Sequence, residues 1–335
     1  MTTLSVLDQS PISEGRTPAQ AIGETIELAR IAEKLGYHRY WLAEHHSSGG
    51  LAGSAPEVLI ARVAAETQTI RVGSGGVMLS HYSPFKVAEQ FRMLETLYPG
   101  RIDLGLGRAP GSDGLTARAL QRVPEAPVPD DFPRQLLELE GFLAGNLPAA
   151  HPFARIQAMP AGDSMPELWL LGSSDYSAAY AAHLGHGFSF AHFIAGGSGA
   201  EIMRAYQNDF RPSRRLAAPR CSVGVAVVCA DSEAEARRLA ASRELWRLRL
   251  HTGRIGAIPT PEEALAHDYS PVERRMVEQT RSGTIMGDPE QVKAGLLAMG
   301  GHYNVDEFVI VTVVHDFRAR VRSYELVAEA FGMNH

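Results

Sequence analysis

The feature that most constrains this chain is a repeated alternation of short apolar runs with amphipathic stretches. LSVLDQS opens the series and reads as a strand. Thr17-Pro18 then supplies a helix cap and a helix-starting proline. Ile22, Ile26, Ala29 and Ala32 follow at helical spacing, and Gly36 closes that helix. The pattern returns in RYWLAEH with PEVLIARVAAET, RVGSGGVMLS with PFKVAEQFRMLETL, RIDLGLG with FPRQLLELEGFLAG, and ELWLLGS with SAAYAAHL. GFSFAHF, CSVGVAVVCAD with SEAEARRLAASRELWRL, and EFVIVTVVHD with RARVRSYELVAEAF complete it. Such alternation means parallel strands with helices on their faces. An open doubly wound sheet and a closed barrel both satisfy it. Eight repeats in one chain favour a (β/α)8 TIM barrel, with 1–335 as a single domain.

Three insertions interrupt the repeat: 112–134 after the fourth strand, 145–166, and 252–283 before the eighth. The first contains the Pro-rich loop RVPEAPVPDDFP. The second has room for a short hairpin, and the third reads as a long loop. Asp288-Pro289-Glu290-Gln291 is a capping box for the helix that leads into the eighth strand. The net charge is −6 over 335 residues and no block of basic residues occurs, so a nucleic-acid partner is not expected. No apolar run approaches the ~20 residues of a membrane span. MTTLSVLDQS lacks the basic and apolar regions of a signal peptide. Cys221 and Cys229 lie too far apart on one strand to bridge, which fits a cytoplasmic setting.

In a barrel, chemistry sits at the C-terminal ends of the strands. The second strand ends in Glu44-His45-His46. Neighbouring side chains on a strand point to opposite faces, so His45 and His46 are not expected to grip one ion, and no metal is expected. GLGRAPG has one residue too many for a dinucleotide fingerprint and does not open a helix at once. Gly172-Ser173-Ser174 lies between a strand and a helix start. Its amides and hydroxyls, with Arg108, suit a monophosphate; helix capping is the other reading. Gly75-Gly76 inside an apolar strand marks a bulge, a close ligand, or a packing accommodation.

Taken together, WLAEHHS, VGSGGVMLSHYSP, RIDLGLGRAPG, LLGSSDYSA and GFSFAHF resemble the bacterial luciferase-like family of flavin-dependent monooxygenases over nearly the whole chain. The likeness is to its single-chain oxidoreductases. The resemblance implies FMN at the C-terminal end of the barrel. Its phosphate would lie at Arg108, Gly172, Ser173, Ser174 and Ser177. Its ring would lie over Gly75, Gly76, Val77 and Met78, with a non-proline cis peptide at Gly75–Gly76 and His192 lining the ring pocket. His45 would donate or accept a proton near the reacting flavin, and Glu44 would support the pocket. Reduced FMN and dioxygen would oxidise a small organic substrate, with a separate flavin reductase supplying the reduced cofactor. The resemblance also implies a homodimer through the second and third helices and an active-site lid in 252–283. Strand five ends in Gly172-Ser173 without the acidic residue of luciferase, and strand six ends in Ala191-His192 without its tryptophan, so light emission is not expected. Hydride transfer with a deazaflavin, and flavin binding without turnover, are the other readings.

Overall fold

The computed structural model describes residues 2–109, 113–121, 131–195 and 197–333. Nine strands occur among them: β1 (Thr3–Asp8), β2 (Arg39–Leu42), β3 (Arg71–Met78), β4 (Ile102–Gly107), β5 (Glu167–Gly172), β6 (Gly187–Ala191), β7 (Cys221–Cys229), β8 (Thr284–Gly287) and β9 (Glu307–Val311). The helices are α1 (Pro18–Lys34), α2 (Pro56–Glu66), α3 (Pro84–Leu97), α4 (Gly114–Gln121), α5 (Phe132–Ala144) and α6 (Asp175–Leu184). They continue as α7 (Gly199–Asp209), α8 (Glu233–His251), α9 (Pro261–Ala266), α10 (Pro271–Ser282), α11 (Pro289–Tyr303) and α12 (Phe317–Ala330).

Strands β1 to β7 and β9 pair in parallel and close into a ring, with β6 against β7 and β9 against both β7 and β1. The expected (β/α)8 barrel is therefore present. The eighth barrel strand is β9; β8 is an addition that the strand pattern did not reveal. It pairs outside the ring with the far half of β7, Ala226–Cys229.

Alternation along each strand sorts the core into two layers. Val6, Tyr40, Leu104, Leu168, Phe188, Val225 and Ile310 face the helices and belong to one large cluster. Leu7, Trp41, Trp169, Ala226 and Val309 form a second cluster inside the barrel. Beneath them, at the strand starts, lies a charged floor. Arg39 is 1% exposed and contacts Asp103 at 2.7 Å, Glu307 at 2.7 Å and Glu167 at 3.1 Å. Arg71 adds a second contact to Asp103 at 2.5 Å. Trp41 Nε1 donates to Asp103 at 2.9 Å, and the Arg39 guanidinium lies 4.9 Å from the Trp169 ring centre. The floor fills the barrel at its N-terminal end.

The insertions differ from expectation. Residues 252–283 hold α9 and α10 rather than a loop. Thr260 and Ser270 cap them, each followed by a proline, and both helices pack on α8. Residues 145–166 contain no hairpin; turns there are held by buried Arg92, whose Nε donates to the Pro160 carbonyl at 2.6 Å. In 112–134, α4 and the first turn of α5 are helical, while 122–130, most of the Pro-rich segment, lie outside the described residues. Helix α7 supplies the covering helix after β6, where no helix was read. Among the described residues no helix is long and apolar enough to cross a membrane.

Candidate active site

All eight barrel strands contribute to a cavity of about 350 Å³ at the C-terminal mouth. Leu7, Trp41 and Leu171 form its base, and the backbone of Gly75, Gly76, Gly107 and Gly172 forms its walls. The glycines are required by the protein itself. A Cβ on Gly75 would stand 2.6 Å from Leu7 Cδ1, and one on Gly76 would stand 2.7 Å from the Gly105 carbonyl oxygen. The β3–β4 register shifts between Ser74 and Val77, and the Gly75–Gly76 peptide is cis. Packing and bulge thus share responsibility for the glycine pair, and together they leave a flat strip of backbone facing the cavity.

At one end of the strip stands the start of α6. Ser173, Ser174 and Ser177 line the cavity there with Arg108, whose guanidinium lies 4.2 Å from the Tyr176 ring centre. Ser174 occupies the N-cap position, yet its side chain makes no capping hydrogen bond. The capping reading therefore does not account for it. Amides at a helix start and hydroxyls beside them suit a phosphate, with Arg108 as a forked charged donor. Removing the hydroxyl tests this. Ser174→Ala is expected to weaken binding of the FMN that the sequence resemblance implies by about tenfold, the lower range for a hydrogen bond to a charged group, as read by flavin absorbance or fluorescence titration.

At the other end, Glu44 is fully buried and accepts three hydrogen bonds. Tyr82 Oη donates at 2.5 Å, the Met78 amide at 2.9 Å, and His46 Nε2 lies at 2.7 Å. Glu44 lines neither this cavity nor the next one. It fixes the backbone of Met78 at the end of the glycine strip, and it fixes the His46 ring. His45 and His46 border a neighbouring cavity of about 410 Å³. His45 Nδ1 is buried with no hydrogen-bond partner among the described residues. Burial, then the neighbouring His46, pushes His45 down to about 4. Because its folded value lies below the ordinary one near 6.5, its contribution to stability is complete above that pH. It is lost as the pH falls toward 4, on the order of 3 kcal/mol. His45→Gln is expected to flatten the acid limb of a melting-temperature profile across that window.

The description "Luciferase-like monooxygenase" matches residues 2–301. The chain belongs to the luciferase-like monooxygenase family. It is 46% identical to the uncharacterised Bacillus subtilis protein YceB, over 99% of this chain and all of that one. It is 41% identical to a Bacillus subtilis N-acetyl-S-alkylcysteine monooxygenase, over 98% of each chain. It superposes on the crystal structure of apo-MsnO8 with a TM-score of 0.91 and 42% identity, over 99% of both chains.

Within this luciferase-like monooxygenase, two expected cofactor residues stand elsewhere. Val77 follows the register shift and turns outward, 3% exposed, into the layer between sheet and helices. His192 borders a third cavity and not the glycine-lined one; its Nδ1 is 2.7 Å from Tyr303 Oη. Ala191 and Phe193, its neighbours, face the glycine-lined cavity instead. The strand argument about the histidines also fails, because β2 ends at Leu42 and both rings, on the loop beyond it, border one cavity. Among the described residues no group of three His, Cys, Asp or Glu could hold a metal ion. Phe193, Trp246, Arg243 and Arg247 were not foreseen as site residues, yet they line the His45 cavity.

Proposed function

We propose that this protein binds reduced FMN along the Gly75–Gly76 strip and oxidises a small organic substrate held in the His45 cavity. The observation that carries the reading is the junction of the two cavities at Phe193, which lines both. The chain's groups fit the cofactor: a flat glycine strip for the ring, and Arg108, Ser173, Ser174 and Ser177 for the phosphate. Reduced FMN, when bound, supplies the activation of dioxygen. The protein supplies the rest. Trp41, Leu7 and Leu171 exclude water beneath the ring. Glu44 holds Met78 and so the level of the strip. His45, neutral near pH 7, borders the substrate cavity and takes part in proton transfer there.

A separate reductase delivers the reduced flavin. The sequence GLGRAPG, one residue too long for a dinucleotide fingerprint, supports that division of labour. Residues 252–283 act as a lid, since Gly253 and Ile255 border the His45 cavity. Free Cys221 and Cys229 support a cytoplasmic enzyme. Exposed Val58 on α2 and Met93 and Leu97 on α3 support the expected homodimer. Sedimentation is expected to give a dimer, and Leu97→Glu a monomer.

The relative named for N-acetyl-S-alkylcysteines makes small thioethers the first compounds to try. Oxygen uptake with enzymatically reduced FMN is expected to rise with such a substrate, and one oxygen atom from labelled dioxygen is expected in the product. Substrate conversion with a deazaflavin and no dioxygen consumption would contradict the proposal.

A further inference from the structure

Arg243 and Arg247 are four residues apart on α8 and therefore share a face. That face covers the barrel mouth. Both arginines border the His45 cavity and also an adjoining cavity of about 420 Å³. Arg243 is 5% exposed, and its Nη1 donates to Thr284 Oγ1 at 3.0 Å. Arg247 Nε is buried and has no hydrogen-bond partner among the described residues. Among the described residues neither guanidinium forms an ion pair with a carboxylate. Glu244, the acid nearest in sequence, is held through both oxygens by Arg281, at 2.9 and 2.8 Å. Asp113 also borders the cavity, but it accepts from the Leu115 and Thr116 amides at 2.8 and 3.0 Å.

A buried and a half-buried like charge, neither ion-paired with a carboxylate among the described residues, are costly to keep side by side. Burial, and then Arg247, pushes Arg243 down to about 9; burial also lowers Arg247. A planar carboxylate arriving with the ligand would remove this cost, because the guanidinium fork matches it in shape and charge. We infer that Arg243 and Arg247 receive a carboxylate of the substrate, so the protein acts on small carboxylic acids. Phe193 borders all three cavities and marks the path. An acid anchored on α8 extends past it toward His45 and the glycine strip, so its oxidised atom lies at the end remote from the carboxylate.

The reaction in this inference rests on the proposed function; the binding does not. Trp246 lines the same cavity and reports occupancy by fluorescence without any flavin. The probes are a panel of alkyl, aryl and thioether carboxylic acids, each matched with its carboxamide. In the unaltered protein at least one acid is expected to bind tenfold or more tightly than its amide, about the strength of one charge-assisted contact. Arg243→Met and Arg247→Met are expected to abolish that preference while FMN titration stays unchanged. The inference is overturned if no acid is preferred over its amide, a comparison that needs no variant. It is also overturned if the preference survives in both folded variants. Absent FMN binding in the unaltered protein would sink the proposed function and leave the acid preference to be judged on its own.

Discussion

Replacing His45 by alanine is expected to lower turnover by roughly 10²–10⁴, the range for loss of a positioned proton-transfer group, with FMN affinity unchanged. The separation follows from the proposed place of the ring. His45 borders the proposed substrate cavity and is not among the residues that line the glycine strip. Its Nδ1 is buried and unpartnered, an arrangement that costs stability. His46 presents the opposite case, with its Nε2 already committed to Glu44. His46→Ala is thus expected to act through Glu44 and Met78, moving flavin affinity as well as rate. Equal loss of flavin affinity and turnover in His45→Ala would show that His45 only shapes the pocket.

Replacing Arg39 by alanine is expected to destabilise the fold by about 3–5 kcal/mol, the usual cost of removing one member of a buried ion cluster. Arg39 contacts Asp103, Glu167 and Glu307 at once. Arg71 would still serve Asp103, and Arg220 would still serve Glu167 at 2.8 Å, but Glu307 would keep no cation among the described residues. Arg39→Lys is expected to rescue little, since one ammonium cannot reach three partners in a plane. Urea melts read the effect. A loss below about 1 kcal/mol, typical of surface pairs, would mean that the floor is hydrated and contributes little.

The barrel was legible because its strands are buried on both faces and its helices carry clear start signals. Gly75-Gly76 and Gly172-Ser173-Ser174, which line one cavity, were legible as candidates because glycine inside a strand, and serine before a helix, each require a reason. Other features depended on contacts that the sequence does not display. Strand β8 is four residues long and follows a polar helix, so nothing in TIMG marks it. Helices α9 and α10 had readable signals, Thr260-Pro261 with Glu263 and Ser270-Pro271 with Glu273, but the length of the segment outweighed them. The absence of alternation between His45 and His46 turned on strand β2 ending at Leu42, three residues before the end of the stretch RYWLAEH read as a strand. Arg243 and Arg247 sit in a helix rich in charge, which reads as a solvated face. Arg243 is buried and Arg247 half-buried because the barrel mouth and α10 enclose that helix, and only the packed chain reveals it.

The most direct measurement is an anaerobic titration of the purified protein with reduced FMN, in parallel with a reduced deazaflavin coenzyme. The account predicts saturable binding of one FMN per chain, weakened about tenfold by Ser174→Ala and unchanged by His45→Ala. Binding of the deazaflavin alone, or FMN binding indifferent to Ser174, would contradict it.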